Sequence, residues 1–310
     1  MGKSLRQLVK NGVNMRCKNC NSTHLNKRGF SPTGQQRIRC MDCGKWGLYY
    51  GRSGAKILLF DIETTPMEVY VWGLIGNQYI QPNNIIHDWN VLSWSAKWLF
   101  DSQVMSDIQT PKEAIERDDA RIVRSIWDLI DQADMVIAHN GDKFDIKKLN
   151  TRFHLHGLYP PSPYKSIDTL KVVKKSFAFS SNKLDYLSQL MLNRNKLETN
   201  FKLWTDCLHG KRDALNKMLS YNEEDVRLLE DVYMELRPWV KPHPNVNMFD
   251  NIDGCPTCGS DDLKPNGGYY TTSSNKYLSY SCGECGSLSR TLESELSADD
   301  RKILMRSLAK

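Results

Sequence analysis

The chain has 310 residues, 40% hydrophobic and 25% charged, which is ordinary for a folded globular protein and long enough for one substantial core with satellites or for two domains. No apolar run approaches the roughly 20 residues that span a bilayer. Met1–Arg6 carries charge without an apolar stretch behind it, so neither a transmembrane helix nor a secretory signal is expected, and a cytoplasmic location follows.

The net charge of +6 is unevenly placed. Residues 1–52 hold 11 Lys or Arg against the single acid Asp42, whereas the remainder holds 31 basic and 35 acidic residues. The first sixth of the chain is therefore the part expected to touch phosphates. Eight of the nine cysteines form four Cys-x-x-Cys pairs, which without a secretion signal argues for reduced thiolates on metal rather than disulfides. Cys17 and Cys20 are separated from Cys40 and Cys43 by 19 residues, and Cys255 and Cys258 from Cys282 and Cys285 by 23. Paired knuckles at such separations imply two structural Zn²⁺ sites. A segment of about 35 residues buries too little apolar surface to fold unaided, and a structural zinc contributes on the order of 10–16 kcal/mol.

The two cysteine sets read as one repeated unit. Cys20-Asn21-Ser22-x-x-Leu25-x3-Gly29 parallels Cys258-Gly259-Ser260-x-x-Leu263-x3-Gly267, and Gly44 and Gly286 each follow the last cysteine. In the first set Lys27, Arg28, Arg37, Arg39 and Lys45 are candidate phosphate contacts, while Phe30 and Trp46 are either stacking surfaces or the unit's small core. Residues 250–310 hold 7 basic against 9 acidic residues, so the second set suits a protein partner, or docking on the central domain, better than nucleic acid. Cys207 stands alone and reads as a small buried hydrophobe.

Gly51-Arg52-Ser53-Gly54 marks a joint and the prolines between Pro238 and Pro244 a second boundary, giving expected domains at 1–52, 53–247 and 248–310. The central one opens with strands at Lys56–Glu63, Glu68–Gly76 and Ile85–Leu99. Apolar residues then recur at helical spacing from Pro111 to Ala133, Met135–Ala138 reads as a buried strand, and helices follow around 143–157, 183–192 and 211–239. Ser297, with Asp300 three positions on, caps a short helix carrying Ile303, Leu304 and Leu308. The order is that of an α/β fold.

Three acidic motifs stand in this frame. Asp61 and Glu63 alternate on one strand and so present two carboxylates on one face. In "AHNGDKFD" a strand runs through a Gly turn into a helix whose first turn holds Asp145, where an acid also complements the helix dipole. In "YNEED", at the head of a predicted helix, Tyr221 and Asp225 share a face at i and i+4. Tyr164 and Asp168 also satisfy Tyr-x-x-x-Asp, but Pro160, Pro161 and Pro163 argue against a helix there, so Asp168 is expected to support the site or cap the next helix. His209 precedes Asp213 by four residues, one fewer than is implied by the histidine-bearing branch of the family that these motifs resemble.

Together, "FDIETTP", "HNGDKFD" and "YNEED" resemble the motifs of the DEDDy exonucleases, a branch of the ribonuclease H-like nucleases that includes the proofreading domains of family B polymerases. Flanking text such as "VLSWSAKWL" and "SNKLDYLSQL" resembles a nuclease group of tailed bacteriophages, over residues of about 55–245. The resemblance implies a ribonuclease H-like mixed sheet with flanking helices beside two small four-cysteine zinc ribbons. It implies two Mg²⁺ or Mn²⁺ ions held by Asp61, Glu63, Asp145 and Asp225: Asp61 bridges both, Glu63 and Asp225 complete the first site, and Asp145 holds the second. Tyr221 then orients the attacking water, while Thr64 and Asn140 are expected at the substrate. The implied activity is 3′-5′ removal of nucleotides from single-stranded ends, DNA favoured, in the cytoplasm (the host's, for a viral chain). A nucleic-acid adaptor with an inactive nuclease fold and a structure-specific endonuclease are the alternatives. The first ribbon, "KRGFSPTGQQRIRCMDCGKW", is similar to DNA-contacting ribbons of transposases.

Overall fold

A computed structural model describes residues 17, 19, 20, 22, 24–30, 36–48, 54–73, 80–194, 199–249 and 254–305. The chain divides into two compact units, Lys56–Lys241 on one hand and the flanking segments Met1–Ala55 and Pro242–Lys310 on the other. Among the described residues no helix is long and apolar enough to cross a membrane.

The N-terminal segment is a three-stranded antiparallel sheet of β1 (Leu25–Phe30), β2 (Gln36–Cys40) and β3 (Trp46–Leu48). Among the described residues its buried ones are Cys17, Leu25 and Cys40, with Cys43 packed against them. Trp46 lies outside that cluster and is 52% exposed, which settles the alternative left open for it in favour of a surface position. The side chains of Lys27, Arg28, Phe30 and Arg37 lie outside the described residues.

The central unit begins with β4 (Ile57–Thr64), the short β5 (Glu68–Val69) and β6 (Ile85–His87), β7 (Val91–Trp98) and β8 (Met105–Ile108). Then come α1 (Pro111–Glu116), α2 (Ala120–Ile130), β9 (Met135–Ala138), α3 (Asp145–Leu155) and β10 (Lys165–Asp168). The helices α4 (Thr169–Ser176), α5 (Leu184–Leu192), α6 (Phe201–Leu208) and α7 (Arg212–Leu236) close it. The main sheet has the order β10-β9-β4-β7-β8, with β10, β9 and β4 parallel and β7 and β8 antiparallel to their neighbours.

The two faces of this sheet follow from side-chain alternation. Leu58, Phe60 and Ile62 of β4, with Trp94 and Ala96 of β7, pack into one cluster with Ile122, Val123 and Ile126 of α2 and Leu149 and Phe153 of α3. The alternate residues turn to the other face, where α7 runs: Ser93 meets Asn222, and Lys97 pairs with Glu230. Asp61 and Glu63 belong to this second face by the same alternation.

Several expectations need correction. The expected strand Glu68–Gly76 survives only as Glu68–Val69; Tyr70, Val71 and Trp72 are exposed, and residues 74–79 lie outside the described residues. Ile85–Leu99 is two strands, divided where Asn90 turns inward to hydrogen-bond Thr65. The helical run from 111 breaks at Arg117, whose φ of 60° lies in the left-handed region. Strands β8 and β10 and helix α6 have too little periodic signal to be read from the sequence.

The C-terminal segment holds β11 (Leu263–Thr271), β12 (Lys276–Cys282) and β13 (Leu288–Arg290) in a second antiparallel sheet. The helix α8 (Ala298–Lys302) has the expected capping box between Ser297 and Asp300, but ends before Ile303 and Leu304, which are 81% and 45% exposed. Leu308 lies outside the described residues.

Candidate active site

The ladder between β4 and β9 runs from Ile57↔Met135 to Leu59↔Ile137 and stops there. Beyond it β4 continues for five residues against β7 alone, so a crevice opens beside Asp61, Ile62 and Glu63 at the carboxyl ends of two parallel strands. Such crevices are where α/β sheets place their sites. On the opposite edge Glu63 pairs with Ser93 but Thr64 pairs with Val91, which leaves Leu92 as the extra residue of a bulge. Leu92 therefore turns toward α6 and α7 and packs with Leu203, Cys207, Leu215, Met218 and Tyr221.

Within the crevice Asp61, Glu63 and Asp225 each offer a carboxylate oxygen, and the three oxygens lie within 4.8 Å of one another. Opposite ligands on one Mg²⁺ stand about 4.2 Å apart, given bonds of about 2.1 Å. Adjacent ligands stand about 3.0 Å apart, so modest side-chain adjustment would close this hard-oxygen set on a divalent ion, and it fits Mg²⁺ or Mn²⁺ better than zinc. Asp225 is buried, and neither it nor Tyr221 sits at a helix head: both lie in the middle of α7, one turn apart, where the long helix crosses the sheet. The Tyr221 ring stands edge-on to Trp204, with centroids 6.2 Å apart.

Asp145, the first residue of α3, is not part of that triplet. It is 2% exposed, and its Oδ1 accepts a hydrogen bond of 3.2 Å from the backbone N–H of Ile62, which the diverging β9 has left without a ladder partner. Burial pushes the Asp145 carboxyl up to about 7; the N–H groups of Ile62 and Asp145 itself oppose the shift and the charge of Asp168 adds to it. Its environment is thus not that of a solvated acid at a helix N-terminus. The preceding turn is tightly specified. Asn140 has φ 67°, a conformation that Asn tolerates better than most residues, and a Cβ on Gly141 would lie 2.4 Å from Ala138 Cβ.

Asp168 ends β10 and does not share a helix with Tyr164. Its Oδ1 accepts from the backbone N–H groups of Asn140 at 2.9 Å and of Leu170 at 3.0 Å, so it caps α4 and braces the Asn140 turn together. His209 follows α6 and bonds back to Thr205 O through Nδ1 at 2.6 Å, away from the cluster. Cys207 is buried among apolar side chains, and burial pushes its thiol up to about 12.

Two polar residues of this site escaped the sequence reading. Asn222 is fully buried; its Nδ2 donates to Asp61 Oδ2 at 2.7 Å, and its Oδ1 accepts from the Ser93 hydroxyl at 3.2 Å. The signal was present in spacing: Asn222 lies three residues before Asp225 and so shares its helix face, whereas Glu223 and Glu224 point to Ser106 and Arg194. Lys148, one turn after Asp145, lays its Nζ 3.5 Å over the Trp89 ring and 5.6 Å from the Phe144 ring, forming an aromatic and cationic flank.

The two cysteine clusters are built alike. In the first, Cys17 Sγ is 3.5 Å from Cys43 Sγ and Cys20 Sγ 3.6 Å from Cys40 Sγ; in the second the distances Cys255–Cys285 and Cys258–Cys282 are both 3.7 Å. A tetrahedron with Zn–S bonds of about 2.3 Å has sulfur–sulfur edges of about 3.8 Å, so both sets fit zinc. The turns superpose in their hydrogen bonds as well. Cys17 N donates to Ser22 O and Cys255 N to Ser260 O, both at 2.7 Å, and Gly44 N and Gly286 N each reach back to the carbonyl of Cys40 or Cys282 at 3.0 Å. Gly44 and Gly286 need their glycine, at φ 72° and 73°.

A mixed sheet with flanking helices and an acidic crevice at its strand ends defines the ribonuclease H-like class. The family model described as the RNase_H superfamily matches residues 58–237, and the chain belongs to that superfamily. This membership suggests nuclease-type hydrolysis with nucleic acid as the partner. No match is found among curated proteins.

Proposed function

We propose that the chain is a metal-dependent 3′-5′ exonuclease of the DEDDy type, acting on single-stranded nucleic-acid ends with DNA favoured over RNA. The observation that carries this reading is the convergence of Asp61, Glu63 and Asp225 within 4.8 Å, drawn from a strand and a helix 162 residues apart in the chain. Asp61, Glu63 and Asp225 hold one Mg²⁺ or Mn²⁺, and Asp145 takes part in holding a second. The chemistry such ions supply when bound is an activated water and neutralised charge on the phosphoryl oxygens.

The chain's own residues do the rest. Tyr221, fixed in orientation by Trp204, presents its hydroxyl to the attacking water, and Asn140 and Thr64 at the rim contact the terminal nucleotide. Arg39 and Lys45 of the first ribbon hold phosphates of the nucleic acid. Both cysteine clusters hold structural zinc, and the origin suggested by the sequence likeness is a bacteriophage.

The test uses 5′-labelled single-stranded, duplex and flap substrates with Mn²⁺, beside an Asp61→Ala control. A ladder shortening from the 3′ end of single strands, absent in the control, is expected. Internal cuts at the flap junction would replace this reading with a structure-specific endonuclease, and binding without cleavage would replace it with an inactive adaptor.

A further inference from the structure

We infer that Asn222 is a positioning residue for metal uptake: with Ser93, it fixes the Asp61 carboxylate before any cation arrives. The inference deepens the proposed nuclease reading and rests on it. Three carboxylates within 4.8 Å repel one another in the metal-free chain, and each has rotamers that would swing it toward water. A cation of the protein could quench that repulsion but would then compete with the metal. A neutral donor holds the geometry without competing.

Asn222 meets this requirement in detail. Its Nδ2 donates to Asp61 Oδ2 at 2.7 Å and lies 3.3 Å from the carbonyl oxygen of the same residue, so one amide group spans the Asp61 side chain and main chain and restricts the rotation between them. Asp61 offers only acceptors, which fixes the end of the amide that faces it as NH₂. Oδ1 consequently faces Ser93, whose hydroxyl donates at 3.2 Å, and Asn222 and Ser93 are both fully buried. Ser93 is the register partner of Glu63, so the chain Ser93–Asn222–Asp61 ties the two strands bearing the site to α7, the helix that carries Asp225. Groups that orient metal ligands from behind typically alter affinity by about 10- to 100-fold when removed.

The experiment measures Mn²⁺ binding by calorimetry without substrate, in the full chain with its zinc, for wild type, Asn222→Leu, Ser93→Ala and Asp61→Ala. Melting of the zinc-loaded chain without added Mn²⁺ is recorded for each. Asn222→Leu keeps the volume and removes all three side-chain hydrogen bonds; about tenfold or greater weakening of Mn²⁺ binding is expected, with a smaller weakening in Ser93→Ala. Wild-type Mn²⁺ affinity in a folded Asn222→Leu chain overturns the inference, whatever its melting temperature. Should Asn222→Leu fail to fold, unchanged affinity in Ser93→Ala overturns it instead. A wild-type chain that takes up no Mn²⁺, like the Asp61→Ala control, overturns the metal reading itself and this inference with it.

Discussion

The backbone N–H of Ile62 donates to Asp145 Oδ1 over 3.2 Å, so the strand that carries Asp61 and Glu63 is fastened to the head of α3 by the very carboxylate that the sequence places in a separate motif. The bond exists because β9 leaves β4 after Leu59. It binds Asp145 to the site while keeping it apart from the three-oxygen cluster, and it gives that carboxyl a distinct titration.

The pH dependence of the metal-free fold follows. Burial raises Asp145 from an ordinary value of 3.8 to about 7 in the folded chain. A folded-state pKa above the unfolded one contributes stability that is fully present below about pH 4 and is lost as pH rises toward 7. In EDTA the central unit should therefore lose stability between pH 5 and 7, by on the order of a few kcal/mol. Asp145→Asn should flatten that slope. Melting curves across this range decide it, and a wild-type curve as flat as that of Asp145→Asn would sink the argument.

Removing one acid from the cluster should separate stability from metal binding. Asp225→Ala relieves repulsion among three carboxylates, so the variant in EDTA should melt no lower than wild type despite its lost side chain. Mn²⁺ at a hundred times its dissociation constant stabilises a folded protein by about 2.7 kcal/mol, and this increment should vanish in the variant. Differential scanning calorimetry with and without Mn²⁺ reads both effects; retention of the increment would remove Asp225 from the ligand set.

Tyr221 offers a sharper test of chemistry against packing. The ring belongs to a buried cluster with Leu92, Leu215 and Met218, so Tyr221→Phe keeps the packing and deletes only the hydroxyl. Cleavage under saturating Mn²⁺ should fall on the order of a hundredfold while Mn²⁺ affinity and melting temperature hold. Single-turnover rates measure this, and an unchanged rate would reduce Tyr221 to a core residue.

How far the sequence disclosed this arrangement depends on the range of the signal. Asp61, Glu63 and Asp225 stand in local patterns, an apolar strand ending in alternate acids and a helix with i, i+4 spacing, and local patterns survive folding. The role of Asn222 does not, because it depends on α7 crossing β4 and β7 at one particular height, a tertiary fact. The bulge that turns Leu92 toward Tyr221 is likewise invisible in "VLSWSAKW", which reads as plain alternation. Trp46 illustrates the opposite limit: a ribbon has so small a core that composition alone cannot say which aromatic enters it, and among the described residues Cys17, Leu25 and Cys40 are buried there while Trp46 is not.

That exposed tryptophan leads to the last expectation. Arg39 is exposed and holds its guanidinium 5.9 Å from the centre of the Trp46 ring, and Lys45 is exposed beside it in sequence. A cation resting on an open aromatic face keeps its charge available to a phosphate, and the ring edge can still meet a base. Each phosphate neutralised on a single strand contributes about 0.7 to the slope of log affinity against log salt. Replacing Arg39 and Lys45 together by Ala should thus lower the slope by about 1.4 and weaken binding most at low salt. Fluorescence anisotropy of a labelled single-stranded oligonucleotide, with the zinc-loaded chain in an Asp61→Ala background to prevent cleavage and between about 50 and 200 mM salt, measures it. An unchanged slope would remove this ribbon surface from the nucleic-acid path and return the substrate's grip to the nuclease unit alone.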